Sequence, residues 1–362
     1  MLIKRQMHMR RSDIALAGLL VWLICGSAAA QWRPQPSKTT ADLRGLSVVS
    51  PWIVWASGTQ GTYTRTTDGG ATWQTGTISG AEQLDFRDVE AFDANTAYLL
   101  SIGKDQQSRI YKTTDGGAHW TLQFTNRLPE AFFDAMAFWD RDHGIAMSDP
   151  VKGRFVMVTT ENGGQSWSDV PATNIPPARN GEGAFAASGT CIVVQGQANV
   201  WFVTGGAVAR VFRSTDRGRT WTVTNAPISS GAESAGIFSI AFSDADRGVI
   251  VGGDYRKPTA ADDNVAVTAD GGRNWTLSRG RRPAGYRSGA VFVAPLTIIA
   301  AGTSGSDFST DGGTSWAQLD GENYNSVAAR NGVAWAVGPQ GRIAKLDMLP
   351  GGRKLTAQTR FK

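Results

Sequence analysis

Arginines, tyrosines and carboxylates at recurring places along the chain are the residues best able to do chemistry. Arg44, Arg87 and Arg287 each stand at or just before an apolar run. Three guanidinium forks brought together would grip an anion or an acidic peptide with paired hydrogen bonds. Asp88, Asp134, Glu182, Ser239, Tyr286 and Asn325 occupy comparable places. Asp149 and the run Asp254-Tyr255-Arg256 lie in polar stretches between apolar ones. A paired-carboxylate glycosidase needs two carboxylates about 5–9 Å apart, and these acids supply the residue type for one. Mixed with the arginines, they predict a polar rather than uniformly basic site; the same charges also fit a solvated rim pairing with itself. His8, His119 and His143 are the three histidines, and Cys25 and Cys191 the two cysteines. That leaves little for a thiolate or histidine metal centre. Asp262-Asp263-Asn264 is an incomplete calcium ligand set. The expectation is no cofactor, no metal and no catalytic residue.

What must position these residues is a repeat. Thr66-Thr67-Asp68-Gly69-Gly70-Ala71-Thr72-Trp73 recurs as Thr113 to Trp120, Thr160 to Trp167, Ser214 to Trp221, Thr268 to Trp275 and Ser309 to Trp316. The spacings are 47, 47, 54, 54 and 41 residues. A repeat of this period marks a solenoid or a propeller. The chemistry of the motif is structural. A short Asp or Asn holds a turn by accepting from amides two residues on, Gly permits positive φ, and the Trp opens the next strand. The acidic positions are Asp68, Asp115, Asn162, Asp216, Asp270 and Asp311. Six equivalent copies spread around a fold cannot all line one site.

Between the motifs, apolar strands alternate with polar turns. Ile237 to Phe242 leads through Asp244-Ala245-Asp246-Arg247-Gly248 to Val249 to Gly252, and Ala135 to Phe138 leads likewise to Ile145 to Ser148. A third strand precedes each motif and a fourth follows its Trp. Four short strands per unit make a propeller blade. Six blades end in the motif. A seventh, Tyr324 to Leu346, has three strands, and Trp335-Ala336-Val337-Gly338 mirrors Trp55-Ala56-Ser57-Gly58. Gln31 to Ser37 is predicted to supply its outer strand, with Trp32 standing in for the strand-opening Trp. The fold class is therefore all-β: a seven-bladed propeller of four-stranded blades, closed by the N-terminal strand.

Composition agrees. Gly is 43 of 362 residues, against a usual share of about 7%, and charged residues are 19%. Lys4, Arg5, Arg10 and Arg11 precede the apolar run Ile14 to Ile24, and Ala28-Ala29-Ala30 ends it. This reads as a signal peptide over residues 1–30, with the propeller over 31–349 and a tail over 350–362. The expected location is the periplasm or outside the cell, with no transmembrane anchor after cleavage. Removing Lys4, Arg5, Arg10, Arg11 and Asp13 lowers the formal charge from +5 to +2. No basic field for nucleic acid remains.

The six motifs resemble Asp-box (BNR) repeats, found in sialidases and sortilin-type receptors. Their wording, the seven blades and the signal most resemble the photosystem II stability/assembly factor family. That resemblance implies a non-catalytic propeller binding a partner protein or assembly intermediate. A sialidase-like glycoside hydrolase or a carbohydrate-binding propeller is the second expectation; its Arg cluster, Tyr, Glu and Asp would come from Arg44, Arg87, Arg287, Tyr286, Glu182 and Asp134. In a propeller, innermost strands start on one face, and the loops between second and third strands open there too. The channel mouth on that face is the expected partner site: Arg44, Arg87, Asp88, Asp134, Asp149, Glu182, Asp254, Tyr255, Tyr286 and Arg287. Longer segments, Gln195 to Asn199, Gly205-Gly206 and Lys257 to Asn264, are further candidates.

Overall fold

The computed structural model describes residues 32–349 and 353–354. Residues 1–30, read above as a signal peptide, and most of the 350–362 tail lie outside them. Seven antiparallel sheets stand around a central channel. Their innermost strands are Leu43–Val48, Asp85–Ala91, Phe133–Phe138, Ile192–Gln195, Ala232–Phe242, Gly289–Ala294 and Ser326–Arg330.

Each second strand is an almost unbroken apolar run, as in Asn199–Val203, Thr297–Gly302 and Val333–Val337. These strands do not alternate, because both faces of a blade pack against neighbouring blades. Trp55, Trp201 and Trp335 occupy one repeated place on them and are fully buried.

The ring closes as the sequence predicts. Arg33–Gln35 pairs antiparallel with the third strand of the seventh blade, Arg33 opposite Lys345 and Gln35 opposite Ile343. Pro34 is tolerated because this strand is the outermost of its sheet. Trp32 precedes it, buried, with its indole N–H on Ser306 Oγ at 2.9 Å and its ring against Tyr324.

The repeat turn has a finer geometry than expected. Thr66 Oγ1 accepts the Gly70 amide at 2.9 Å and donates to Asp68 at 2.7 Å. Asp68 then accepts the Thr72 amide and hydroxyl. The carboxylate thus reaches four residues ahead rather than two, which closes a wider loop than a simple Asx turn. The Thr72 hydroxyl, its amide and the Thr66 hydroxyl hold the Asp68 carboxyl down at about 2. The pattern recurs in the other five turns, with Asn162 serving in the third.

The second glycine of the turn is required twice over. Gly70 has φ 94°, and a Cβ there would lie 2.5 Å from the Trp335 ring of the preceding blade. Each turn is pressed onto its neighbour at this atom. Gly70→Ala should therefore cost about 2–4 kcal/mol, combining left-handed strain with overpacking. Urea denaturation checks this, and a loss below about 0.5 kcal/mol would show that the contact yields freely.

Candidate functional site: a plugged channel mouth

Four innermost strands carry a β-bulge, near the start at Arg44, Arg87 and Asp134 and midway along Ala232–Phe242 at Phe238. A bulge leaves one residue unpaired and re-aims its side chain. All four of these residues meet one segment, Gly183 to Thr190. Arg44 donates to the Ala187 carbonyl at 3.4 Å and Arg87 to the Ala186 carbonyl at 3.1 Å. The Ala186 amide bears on Asp134. Phe238 stacks on Phe185 with centroids 3.9 Å apart.

The same segment touches the remaining blades. Ala184 N–H donates to Asp149 at 2.7 Å, Ser188 Oγ to the Ser288 carbonyl at 2.7 Å, and Ser326 Oγ to the Ser188 carbonyl at 3.3 Å. Thr190 Oγ1 donates to Ser239 Oγ at 2.7 Å. A Cβ on Gly189 would lie 2.3 Å from the Asp88 carboxylate. The segment leading into the fourth blade thus plugs the channel, held by the six other blades.

Several expected site residues are placed otherwise. Glu182 was expected to open the fourth blade's innermost strand, but that strand begins at Ile192. Glu182–Gly183 instead pairs with Gly205–Gly206, which pairs with the long strand Ala232–Phe242. The Glu182 carboxylate is buried. It accepts from Arg210 Nε at 2.8 Å and Nη2 at 2.5 Å, from Thr204 Oγ1 at 2.6 Å and from the Arg179 amide at 2.7 Å. Arg287 is 0% exposed. Its guanidinium is tied to Asp307, to the Tyr286 carbonyl and to Ser304 Oγ, so it does not converge with Arg44 and Arg87. Tyr286 is buried against Phe238, and burial raises its phenol pKa well above the usual range.

Asp88 and Asp134 are in the channel wall but buried. Asp88 accepts the Met136 amide at 2.7 Å, tying the second blade to the third. Burial pushes both carboxyls well up, helped by the Glu90 charge at Asp88 and the Asp149 charge at Asp134. Cys191, beneath the plug, is buried and its thiol is likewise pushed up. Among the longer segments, Gln195 to Asn199 holds the turn between first and second strands, on the face away from the mouth. Lys257 to Asn264 is at the mouth, but Asn264 is buried, donating to the Pro283 and Gly285 carbonyls. Among the described residues no three His, Cys, Asp or Glu side chains are grouped to hold a metal ion.

What stays open is a groove of about 610 Å³ beside the plug, lined by Lys104, Glu130, Asp149, Phe185, Gly206 and Glu233, among others. Four acids line it with one lysine; Glu182 is paired to Arg210, which leaves Glu130, Asp149 and Glu233 beside Lys104. Burial raises the Asp149 carboxyl to about 6, with the Ala184 amide and Lys104 opposing. At the far side of the mouth Tyr255 is 44% exposed, edge-on to Phe238. Asp254 is held below the usual range, chiefly by the Ser234 hydroxyl. Phe185, Ala186 to Ser188 and Phe238 are the residues sequence reasoning missed. The glycines Gly181, Gly183 and Gly189 bracketing a short, non-alternating stretch were the available signal.

No protein-family profile matches the chain, and no curated protein does. Solved structures do. A structure of YCF48 bound to D1 peptide superposes with a TM-score of 0.61 at 17% identity, over 87% of this chain and 96% of that one. In fold, the chain resembles YCF48. YCF48 from Cyanidioschyzon merolae gives 0.62 at 17% identity, over 88% and 98%. The GH74 enzyme of Niastella koreensis gives 0.58 at 18% identity, over 87% of this chain and 52% of that one. At these identities the likeness to YCF48 and to GH74 is one of fold.

The Asp149 proton has a measurable consequence. Its folded pKa of about 6 lies above the unfolded value of about 3.9. The folded state binds the extra proton, so this contribution is whole below pH 4 and is lost as pH rises through 6. Asp149→Asn keeps an acceptor for the Ala184 amide and should flatten the decline. Urea midpoints of parent and variant between pH 4 and 7 check this. Parallel profiles would refute the assignment.

Proposed function

We propose that this chain is an exported, non-catalytic propeller that binds an extended segment of a partner protein in the groove beside the plug. The carrying observation is the state of the polar groups at the mouth. Arg44, Arg87 and Asp134 hold the plug, and Glu182 is saturated by Arg210, Thr204 and Arg179. What faces solvent is a groove with an aromatic wall and three carboxylates, suited to a segment carrying positive charge. A fold shared with YCF48, solved with D1 peptide on it, supports the same reading. Export rests on the basic, apolar and small-residue order of residues 1–30.

A glycoside hydrolase is the second reading, and one observation favours it. Asp149 lines the groove with a carboxyl raised to about 6, as a general acid needs. That reading requires turnover of a glycan by the parent and its loss in a folded Asp149→Asn variant.

Site-specific photo-crosslinking in cells separates the two. A photoreactive phenylalanine replacing Phe132, which lines the groove, should give a discrete protein adduct. The same group replacing Leu122, exposed on the outer strand of the second blade, should not. Identical adducts from both places, or none from Phe132, would overturn the partner-binding proposal.

A further inference from the structure

On the face opposite the mouth, neighbouring blades are stapled by a repeated pair. The second and third strands place Trp55 opposite Arg65, Tyr98 opposite Lys112, Trp201 opposite Arg213 and Trp335 opposite Lys345. The cation lies over the ring, at 5.3 Å for Arg65, 5.0 Å for Lys112 and 5.1 Å for Lys345. It then reaches into the next blade. Lys112 donates to the Gly163 carbonyl at 2.8 Å, and Lys345 to the Gly69 carbonyl at 2.8 Å. Both acceptors are the first glycine of a repeat turn. The slot between blades is thus built to take a lysine: its stem on apolar surface, its ammonium on that carbonyl.

Three blades lack the pair. In the sixth, Ile299 faces Phe308, and no repeat turn follows in the seventh blade. In the third, Ile145 faces Thr159, and a cleft of about 310 Å³ opens toward the fourth blade. There Arg217 replaces the turn glycine, and an Arg219–Glu161 ion pair crosses at 3.2 Å. That slot supplies its own cations.

The fifth blade differs. Val249 faces Val267, and a cleft of about 440 Å³ opens against the sixth blade. Gly312, the equivalent of Gly163 and Gly69, lines it, as do Phe292, Leu296, Asp270 and Asp311. Leu296 is 48% exposed. Arg247, also on its wall, is tied to Asp244 at 2.8 Å. The hydrogen bonds of their own turns hold both Asp270 and Asp311 below the usual range, so both stay ionised near neutrality. The cleft therefore has the apolar floor and the turn glycine of the stapled slots, adds two carboxylates, and carries Val267 where those slots carry a cation.

We propose that the cleft between the fifth and sixth blades receives a lysine side chain from a partner protein. Its stem packs on Val267, Phe292 and Leu296. Its ammonium meets the Gly312 carbonyl, flanked by Asp270 and Asp311. The proposal is independent of the mouth, on the other face of the ring.

The test is an amide-resolved NMR titration of the full mature chain with Nα-acetyl-lysine methylamide. The norleucine analogue is the uncharged control. The lysine probe should shift Ala269, Leu296 and Gly312 amides, and norleucine should not. Val267→Lys places a cation where the other blades carry theirs, and should abolish these shifts at concentrations that half-saturate the parent. Val267→Met should retain them. Should Val267→Lys fail to fold, Leu296→Lys, at an exposed rim position, serves as the internal competitor. Equal shifts from lysine and norleucine, shifts confined to other surfaces, or undiminished binding by the folded competitor would overturn the proposal.

Discussion

A ring of sheets is stable only when every sheet buries both faces and the last sheet meets the first. That constraint governs this molecule. Its second strands are apolar without alternation because no blade has a solvent face. The repeat turn answers the same demand at its rim. A hydroxyl and a carboxylate bind the turn's own amides, and the second glycine is left bare enough for the preceding blade to press against it. Arg33–Gln35 completes the seventh sheet, so closure joins residues about 300 positions apart in sequence.

Closure also explains the mouth. Innermost strands converge on a channel whose wall would otherwise hold unpaired polar groups, which are costly to bury. Bulges turn Arg44, Arg87, Asp134 and Phe238 toward that space, and one segment fills it, offering carbonyls to the arginines and a ring to Phe238. The channel thereby gains a floor. The groove left open beside it is of opposite charge from the arginines that hold the plug.

The blades, their number and their closure were legible because each rests on local pattern: a turn motif, an apolar run, a matching pair such as Trp55 and Trp335. Arg44, Arg87 and Asp134 were legible as residues of the mouth for the same reason. Glu182 was not. The glycines around Gly181 to Thr190 argue against a regular strand there, but nothing local says that the segment crosses the channel. Its partners, Arg210 and Thr204, come from the blade that follows it. Arg287 misled for a related reason, since its partner Asp307 lies on the third strand of the same blade, 20 residues on. A charge near a strand start looks the same in sequence whether it faces solvent or a buried counter-charge.

The central claim is that residues 184–190 are a structural floor rather than a loop resting in an open channel. Hydrogen–deuterium exchange of the folded mature chain measures this most directly, by comparing peptides covering 184–190 with those covering the rim segment 254–264. The account predicts protection of 184–190 comparable to the innermost strands, with 254–264 exchanging much faster. Equal, rapid exchange of the two segments would contradict it and leave the channel open to a ligand.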